Sequence, residues 1–179
     1  ARPTRSGGSP MKVLVAVASL HGATLEIAER IAIALRRRGV AVTLQPAATV
    51  HTLDGYDAVV IGSAVYLGRW LRPARELVTR HRERLATLPV WLFSSGPVGQ
   101  PPKPDVDPAD ITELSAMVRA RGHRRFAGRL DRRRLRPLHR VVARAVNAPD
   151  GDFRDWSAVD AWAAEIADVL ASGPMPAAL

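Results

Sequence analysis

Apolar runs of strand length alternate with helical patterns along this chain, and that alternation limits the folds open to it. The runs KVLVAVA, VAVTLQ, YDAVVIGSA and PVWLFSSG, which begin at residues 12, 40, 56 and 89, have the character of β-strands. The first is apolar almost throughout, which is typical of a strand buried on both faces of a parallel sheet. Parallel strands need right-handed crossovers, so the pattern predicts an α/β fold with a doubly wound parallel sheet.

Helical periodicity fills the stretches between these runs. Apolar residues recur at helical spacing after the first strand, and RPARELVTRHRERL carries a proline in its first turn, where helices tolerate it. Further helices are predicted over 109–121 and 155–171. HRRFAGRL predicts a short fifth strand centred on Phe126 and Ala127.

The length of 179 residues favours one domain, since it is ample for one core and short for two. Residues 1–10 are rich in Gly, Pro, Ser and Arg and are expected to be a disordered arm or a remnant of expression. Residues 11–172 are expected to form the domain, with an insertion at about 129–152, and residues 173–179 a tail.

Composition excludes several classes of site. There is no cysteine, and the five histidines form no ligand-spaced pair, so we expect no metal site. No apolar run approaches the roughly 20 residues needed to cross a bilayer, and the opening decade lacks the apolar centre of a signal peptide. We therefore expect a cytoplasmic protein.

Three loops of unusual composition follow strands at their carboxyl ends, where such sheets bind ligands. SLHGAT precedes a helix, whose free N–H groups and dipole favour an anion. Gly22 permits close backbone approach, and the hydroxyls of Ser19 and Thr24 can donate to phosphate oxygens. Without a Walker lysine or a three-glycine fingerprint, a phosphate monoester fits best. The predicted contacts are Ser19, Leu20, His21, Gly22, Ala23 and Thr24.

The other two loops add a slot for a planar ring. Tyr66 and Trp70 lie around Gly68, where aromatic side chains can stack on a ring and the Gly68 peptide can approach a ring nitrogen. SSGPVG supplies a glycine-rich wall. A phosphate pocket beside such a slot indicates a site for flavin mononucleotide (FMN). The predicted ring contacts are Ala64, Val65, Tyr66, Leu67, Gly68, Ser95, Gly96 and Gly99.

Each of these interpretations has a structural alternative. Ser19 can be a helix cap and Gly22 a turn residue. For Trp70, which leads into a helix, ordinary packing is favoured over ring stacking. For Tyr66 the two roles are equally favoured. His21 can contact the phosphate or face solvent.

With these loops in place, the chain resembles the flavodoxin superfamily over nearly all of residues 11–172. The phosphate loop of that superfamily typically reads Thr/Ser-x-Thr/Ser-Gly-x-Thr; Ser19, Gly22 and Thr24 match it, while His21 replaces a hydroxyl residue. Within the superfamily the chain is most similar to the group that includes menaquinone-dependent protoporphyrinogen dehydrogenases. The segments that carry this resemblance are SLHGATLEIAERIA, VVIGSAVYLGRWL, FAGRLD and GDFRDWSAVDAWAAEIA.

The resemblance implies a flavodoxin-like five-stranded sheet in the order 2-1-3-4-5, with helices on both faces and a basic helical insertion near the fifth strand. It also implies one noncovalent FMN in the three loops, and electron transfer from a porphyrinogen-like donor to a membrane quinone.

Basic charge is concentrated in one segment. The net charge is +9, and residues 119–144 hold 11 arginines against the single acid Asp131. Apolar and arginine residues fall on different sides of a helix predicted near 136–146, so Arg129–Arg144 could contact an anionic membrane surface near a quinone. The favoured alternative is a helix packed on the domain with a solvated arginine face. Nucleic-acid binding is disfavoured because this basic segment has one aromatic residue, Phe126, and no recognised binding motif.

The function predicted from these features is that of an FMN-dependent oxidoreductase or electron-transfer flavoprotein. No side chain is assigned as a catalytic acid or base, because the flavin carries the chemistry. The alternative is a flavin-free module of the same fold that binds a membrane or a partner through its arginine-rich helix. The expected partners are a small redox substrate, the inner face of the membrane and a second copy of the chain.

Overall fold

The computed structural model describes residues 10–96, 106–130, 137, 141 and 151–173. Within them the strands are β1 Lys12–Ala18, β2 Ala41–Pro46, β3 Ala58–Tyr66, β4 Arg69–Trp70, β5 Val90–Ser95, β6 Gly122–Phe126, β7 Arg129–Leu130 and β8 Gly151–Asp152. The helices are α1 Ala23–Arg37, α2 Arg72–Arg80, α3 Arg82–Leu85, α4 Ile111–Val118 and α5 Trp156–Ala171, with a 3-10 turn at Ala47–Thr49.

The main sheet of the described residues has its parallel strands in the order β2-β1-β3-β5-β6. The two-residue strand β4 pairs antiparallel with β3; without it, the chain-order numbering gives the predicted 2-1-3-4-5. Ala18, Ser63 and Ser94 are register partners on β1, β3 and β5, so these three strands end side by side. The predicted doubly wound α/β fold is confirmed.

Helices cover both faces of the sheet. Because successive side chains of a strand point to opposite faces, Val13, Val15 and Val17 pack in one core with α1 and α5. Leu14 and Ala16 pack in a second core with α2 and α4. The continuous apolar run of β1 thus has the burial on both faces that the sequence predicted.

A glycine in β3 makes room for an aromatic cluster. A Cβ at Gly62 would overlap the ring of Phe93 on β5. The Phe93 ring centroid lies 6.0 Å from that of Phe126 and 6.1 Å from that of Trp162, in edge-to-face geometry. These contacts tie β5, β6 and α5 together under the first face of the sheet.

Two predicted elements have different bounds in the structure. The fifth strand spans Gly122–Phe126 and is not centred on Phe126 and Ala127. It lies at the edge of the sheet, where arginine side chains can remain in water, so its polar residues did not indicate a strand. The helix predicted from Arg72 is broken at His81, which has non-helical backbone angles.

The predicted insertion leaves and re-enters the fold through a short antiparallel ribbon. Arg129 of β7 lies opposite Asp152 of β8, and Leu130 opposite Gly151. Between these strands the structure describes only residues 137 and 141, both helical. The rest of the insertion, residues 1–9 of the arm and residues 174–179 of the tail lie outside the described residues. In the described part of the chain, no helix combines the length and apolarity required to cross a bilayer.

Candidate functional site

The first candidate loop, residues 19–24, joins β1 to α1. Ser19 Oγ accepts a hydrogen bond from the Gly22 N–H at 3.1 Å, and Gly22 is the N-terminal cap residue of α1. Gly22 has φ 86°, and a Cβ there would meet no atom within 4 Å. Backbone conformation, not crowding, therefore requires glycine, and the space in front of the helix is open.

The first loop and the first turn of α1 contain several hydrogen-bond donors. The N–H groups of a first helical turn have no intrahelical partner, and no described side chain caps α1. Ser19 accepts from Gly22 and keeps its own hydroxyl hydrogen to donate. Thr24, 3% exposed, lies in the same first turn. The donor set fits a phosphate, and the hydrogen bond that Ser19 accepts from the Gly22 N–H is compatible with it.

The remaining residues of this loop contribute no hydroxyl group. Leu20 is exposed, His21 is half-buried, and Ala23 begins α1. The loop therefore has one hydroxyl fewer than the superfamily pattern, at His21.

The second candidate loop is a β-hairpin. β3 continues through Ala64, Val65 and Tyr66, so these three residues belong to a strand and not, as predicted, to a loop. Leu67 and Gly68 form a two-residue turn to β4 with φ values of 50° and 74°, as in a type I′ turn. Leu67 is 74% exposed at the tip.

Hydrogen bonds to the two residues before α4 hold the hairpin in place. The Gly68 carbonyl accepts a hydrogen bond from Ala109 N–H at 2.9 Å. The Trp70 N–H lies 3.3 Å from both carboxylate oxygens of Asp110. The Trp70 side chain is buried, so its packing role, favoured from the sequence, is confirmed, and it is not exposed for ring stacking.

A neutral hydrogen-bond chain lies beneath the hairpin. Trp70 Nε1–H donates to Ser94 Oγ at 2.7 Å, and Ser94 Oγ lies 2.8 Å from His123 Nε2. Because Ser94 accepts from Trp70, its hydroxyl can donate to a neutral His123, whose Nδ1 is 3.8 Å from Asp107. Burial lowers the pKa of His123; Asp107 opposes this shift and Arg125 adds to it. A neutral imidazole is the form that completes the chain.

The third candidate loop begins at a crowded strand end. Ser95 is the last residue of β5 and is buried. A Cβ at Gly96 would lie 3.2 Å from the Val65 Cβ, and one at Gly128 would lie 3.4 Å from the Gly96 Cα. These glycines allow the backbone after β5 to pass closely between its neighbours. Gly99 lies outside the described residues.

The three loops meet at one edge of the sheet. Ala18 pairs with Ser63, and Ala64 pairs with Ser95, so the chain leaves three neighbouring strands at one level. This is the edge at which open α/β sheets bind ligands. A shallow surface pocket of about 280 Å³ lies at the other end of the sheet, beside Lys12 and Tyr56, away from these loops.

A charged group beside the first loop was missed by sequence reasoning. Glu26, Arg129, Asp152 and Arg154 form an ion-pair network, here called the Glu26 cluster. Hydrogen bonding from Arg154 lowers the pKa of Glu26, with the charges of both arginines adding to the shift and partial burial opposing it. The pKa of Asp152 is lowered chiefly by its hydrogen bond from Arg154.

Part of the signal for this cluster was present in the sequence. FAGRLD contains Arg129, and GDFRDW contains Asp152 and Arg154. Glu26 pairs with these arginines across 103 and 128 positions of the chain, and no local pattern predicts such pairing.

Comparisons with known proteins place the chain in a family. A family model described as a flavodoxin domain matches residues 14–157. Over 98 residues the chain is 31% identical to a protein of Escherichia coli strain K12 named protoporphyrinogen IX dehydrogenase [quinone]. That match covers 52% of each chain, so this chain spans about half the length of the curated relatives it matches.

Solved structures support the fold. A flavodoxin from the domain Archaea has a TM-score of 0.62 at 17% identity, with 90% of this chain and 99% of that one covered. Rubredoxin oxygen:oxidoreductase from Desulfovibrio gigas has a TM-score of 0.63 at 15% identity, with 91% and 37% covered. At these identities the likeness shows the fold alone. The family match extends from β1 into α5, and with it the chain belongs to the flavodoxin domain family.

Proposed function

We propose that this chain is an FMN-dependent oxidoreductase. Family membership supports a flavin cofactor and a redox role. The observation that carries FMN in particular is the open N-terminus of α1, where Gly22 has φ 86° and no described side chain caps the helix. A phosphate monoester fits such a site, and a bound flavin supplies the electron-transfer chemistry.

In this proposal the residues of the chain bind and orient the cofactor. The Ser19 and Thr24 hydroxyls and the first N–H groups of α1 hold the phosphate. The hairpin from Ala64 to Gly68 lies on one side of the ring, and Ser95 and Gly96 on another. The Gly68 carbonyl is engaged by Ala109, which keeps the hairpin tip in one position beside the ring.

The proposed substrates are a porphyrinogen-like donor and a quinone acceptor. The name of the Escherichia coli relative supports this choice, at 31% identity over 52% of its length. The exposed Leu67 and Leu20 are located at the loop edge, where an apolar substrate would approach the ring.

We further propose contact with the inner face of the membrane through the arginines of 129–144, and self-association as a homodimer, in the cytoplasm. Arg129 itself is paired with Glu26 at 2.8 Å. Membrane contact therefore depends on the arginines that follow it, which lie outside the described residues.

The first test is a visible absorption spectrum of the purified protein, incubated with excess FMN and desalted. We expect retained flavin bands, and their loss in the double variant Ser19→Ala/Thr24→Ala. The control is Thr49→Ala/Thr79→Ala, which removes two exposed hydroxyls that bond only to nearby backbone carbonyls. A colourless protein that cannot be reconstituted would remove the oxidoreductase proposal and favour the flavin-free alternative.

The second test addresses the substrates. The FMN-loaded protein is mixed anaerobically with protoporphyrinogen and a water-soluble menaquinone analogue, and porphyrin fluorescence is followed. We expect porphyrin to form only when protein and quinone are both present. Flavin retention without such turnover would leave the cofactor proposal intact and reject this donor and acceptor pair.

A further inference from the structure

Glu26 occupies a position that is unfavourable for a phosphate site. It lies in the first turn of α1 and is 38% exposed at the side chain. An acid there stabilises an empty helix N-terminus by interaction with the dipole. A phosphate monoester carries close to two negative charges near neutral pH, so the same acid repels it.

Arg154 is placed to compensate this charge. Its side chain is 3% exposed, and Nη1 donates to Glu26 Oε2 at 2.6 Å. The same Nη1 is 3.5 Å from the carbonyl oxygen of Ala23, within the first loop. Nε and Nη2 donate to the two carboxylate oxygens of Asp152 at 2.8 and 2.6 Å. The guanidinium carbon lies 4.5 Å from the ring centroid of Trp156, so the group is held on several sides.

Arg129 completes the compensation from β7, whereas Arg154 lies two residues after β8. Its two terminal nitrogens donate to Glu26 at 2.8 and 3.2 Å, one to each carboxylate oxygen. Arg129 and Asp152 are register partners in β7 and β8. The two arginines therefore approach Glu26 as one unit, fixed by the ribbon that closes the insertion.

Over these four side chains the formal charges cancel. We propose that Arg129 and Arg154 are positioning residues for the FMN phosphate: they neutralise Glu26 and hold the first turn of α1 in a state that accepts a dianion. This inference rests on the proposed function, and it concerns the charge balance of the site. It also gives the base of the insertion a direct influence on the cofactor.

A second ion pair on the same helix provides a matched comparison. Arg30 of α1 donates to Asp160 of α5 at 2.7 and 2.6 Å, with both side chains 40% exposed. This pair also ties α1 to the C-terminal part of the chain. In the part of the chain that the structure describes, this pair makes no hydrogen bond or ion pair with residues 19–24, and Arg30 lies one turn after Glu26. The pair therefore shares the structural role of the Glu26 cluster but is not adjacent to the first loop.

The test compares affinities for FMN and riboflavin, which differ only in the phosphate. Dissociation constants are measured by flavin fluorescence quenching at low ionic strength for the wild type, Arg154→Gln, Arg129→Gln, Glu26→Gln, Glu26→Gln/Arg154→Gln and Arg30→Gln. We expect Arg154→Gln to weaken FMN binding about tenfold, the scale of one uncompensated carboxylate acting on a nearby dianion. Riboflavin binding should be unchanged.

The double variant decides between charge balance and structure. If Arg154 acts by neutralising Glu26, Glu26→Gln/Arg154→Gln restores FMN affinity to near the wild-type value, and added salt reduces the Arg154→Gln defect. Arg30→Gln should leave the FMN-to-riboflavin ratio unchanged.

Equal weakening of FMN and riboflavin in Arg154→Gln, without recovery in the double variant, would overturn the proposal in favour of a folding role. So would full FMN affinity in both arginine variants. If the wild type binds riboflavin and FMN equally, the phosphate site is wrong; if it binds neither, the proposed function and this inference fail together. Thermal unfolding of each variant identifies any that has failed to fold.

Discussion

The first loop and the hairpin are held by different kinds of interaction. Beside the first loop, the Glu26 cluster joins the nearly buried Arg154 to three charged side chains that are partly open to water. Beneath the hairpin, Trp70, Ser94 and His123 form a neutral and largely buried chain. Ion pairs hold the region beside the first loop, whereas packing and neutral hydrogen bonds hold the hairpin.

This difference has a consequence for how each region responds to change. Partly exposed ion pairs contribute little to stability and are screened by salt. Buried neutral hydrogen bonds are costly to break, because a partner is left unsatisfied away from water. We therefore expect substitutions at the hairpin to act mainly on stability, and substitutions at the Glu26 cluster to act mainly on ligand binding.

The largest expected effect distinguishes two of the four tryptophans, Trp70 in the hairpin and Trp156 beside the Glu26 cluster. Trp70→Ala removes a buried ring and leaves Ser94 without its donor, so it should lower the free energy of unfolding by about 3–5 kcal/mol. Trp156→Ala, at the half-buried ring against Arg154, should cost less than half of that. Urea denaturation of both variants is the measurement. Equal losses would show that the hairpin is not the more tightly packed region.

A glycine substitution at the first loop comes next. Gly22→Ala should cost about 1–2 kcal/mol, the penalty for an L-residue in left-handed backbone, and should also weaken FMN binding. Gly55→Ala is the control, since Gly55 has φ 79° and equally open space around a Cβ. Gly55→Ala should lose similar stability in thermal unfolding and keep FMN affinity. Loss of FMN binding in both variants would point to general unfolding.

The pH dependence of stability should report on the hairpin region. Burial lowers the pKa of His123 in the folded state, whereas in the unfolded state this pKa is about 6.5. Just below pH 6.5 the unfolded state therefore binds more protons than the folded state. Stability is therefore highest above about pH 6.5 and falls as the pH is lowered, by at most about 1.4 kcal/mol per pH unit for one group.

His123→Gln should flatten this part of the curve in urea titrations from pH 5 to 7.5. His51→Gln, at an exposed histidine remote from the network, should leave the slope as it is. An unchanged slope in His123→Gln would remove His123 as its source.

The smallest expected effect is a gain. Leu67 has φ 50°, and Asn tolerates this conformation at the first turn position better than leucine does. Leu67→Asn should raise stability by about 0.5–1 kcal/mol and lower the rate with an apolar donor, since it removes the exposed side chain at the hairpin tip. Unfolding midpoints and turnover of the FMN-loaded protein are the measurements. A less stable variant would show that Leu67 is stabilised by packing.

The sheet could be predicted from the sequence because its strands carry their own signal. β1, β3 and β5 are continuous apolar runs, and burial on both faces is the physical reason for such runs. β6 was displaced in the prediction because Arg124 and Arg125 give an edge strand a polar appearance. The extension of β3 through Tyr66 was missed because the Leu67–Gly68 turn lacks the usual asparagine.

The candidate site could be predicted only in part. The first loop was located because Ser19, Gly22 and Thr24 lie close together in sequence and directly before a helix. The Glu26 cluster and the chain from Trp70 to His123 depend on side chains brought together by the fold. Such contacts form only through tertiary packing, and the local spacing of residues along the chain does not predict them.

The ribbon of β7 and β8 also bears on how this protein can diversify. Because Leu130 and Gly151 are paired, the two ends of the insertion lie side by side in the ribbon. The length of the insertion therefore places little constraint on the sheet. Each doubling of a flexible loop adds only about 0.6 kcal/mol to its closure cost. Replacement of residues 131–150 by a segment of another length should therefore leave the pairing of β1 with β2 and β3 unchanged.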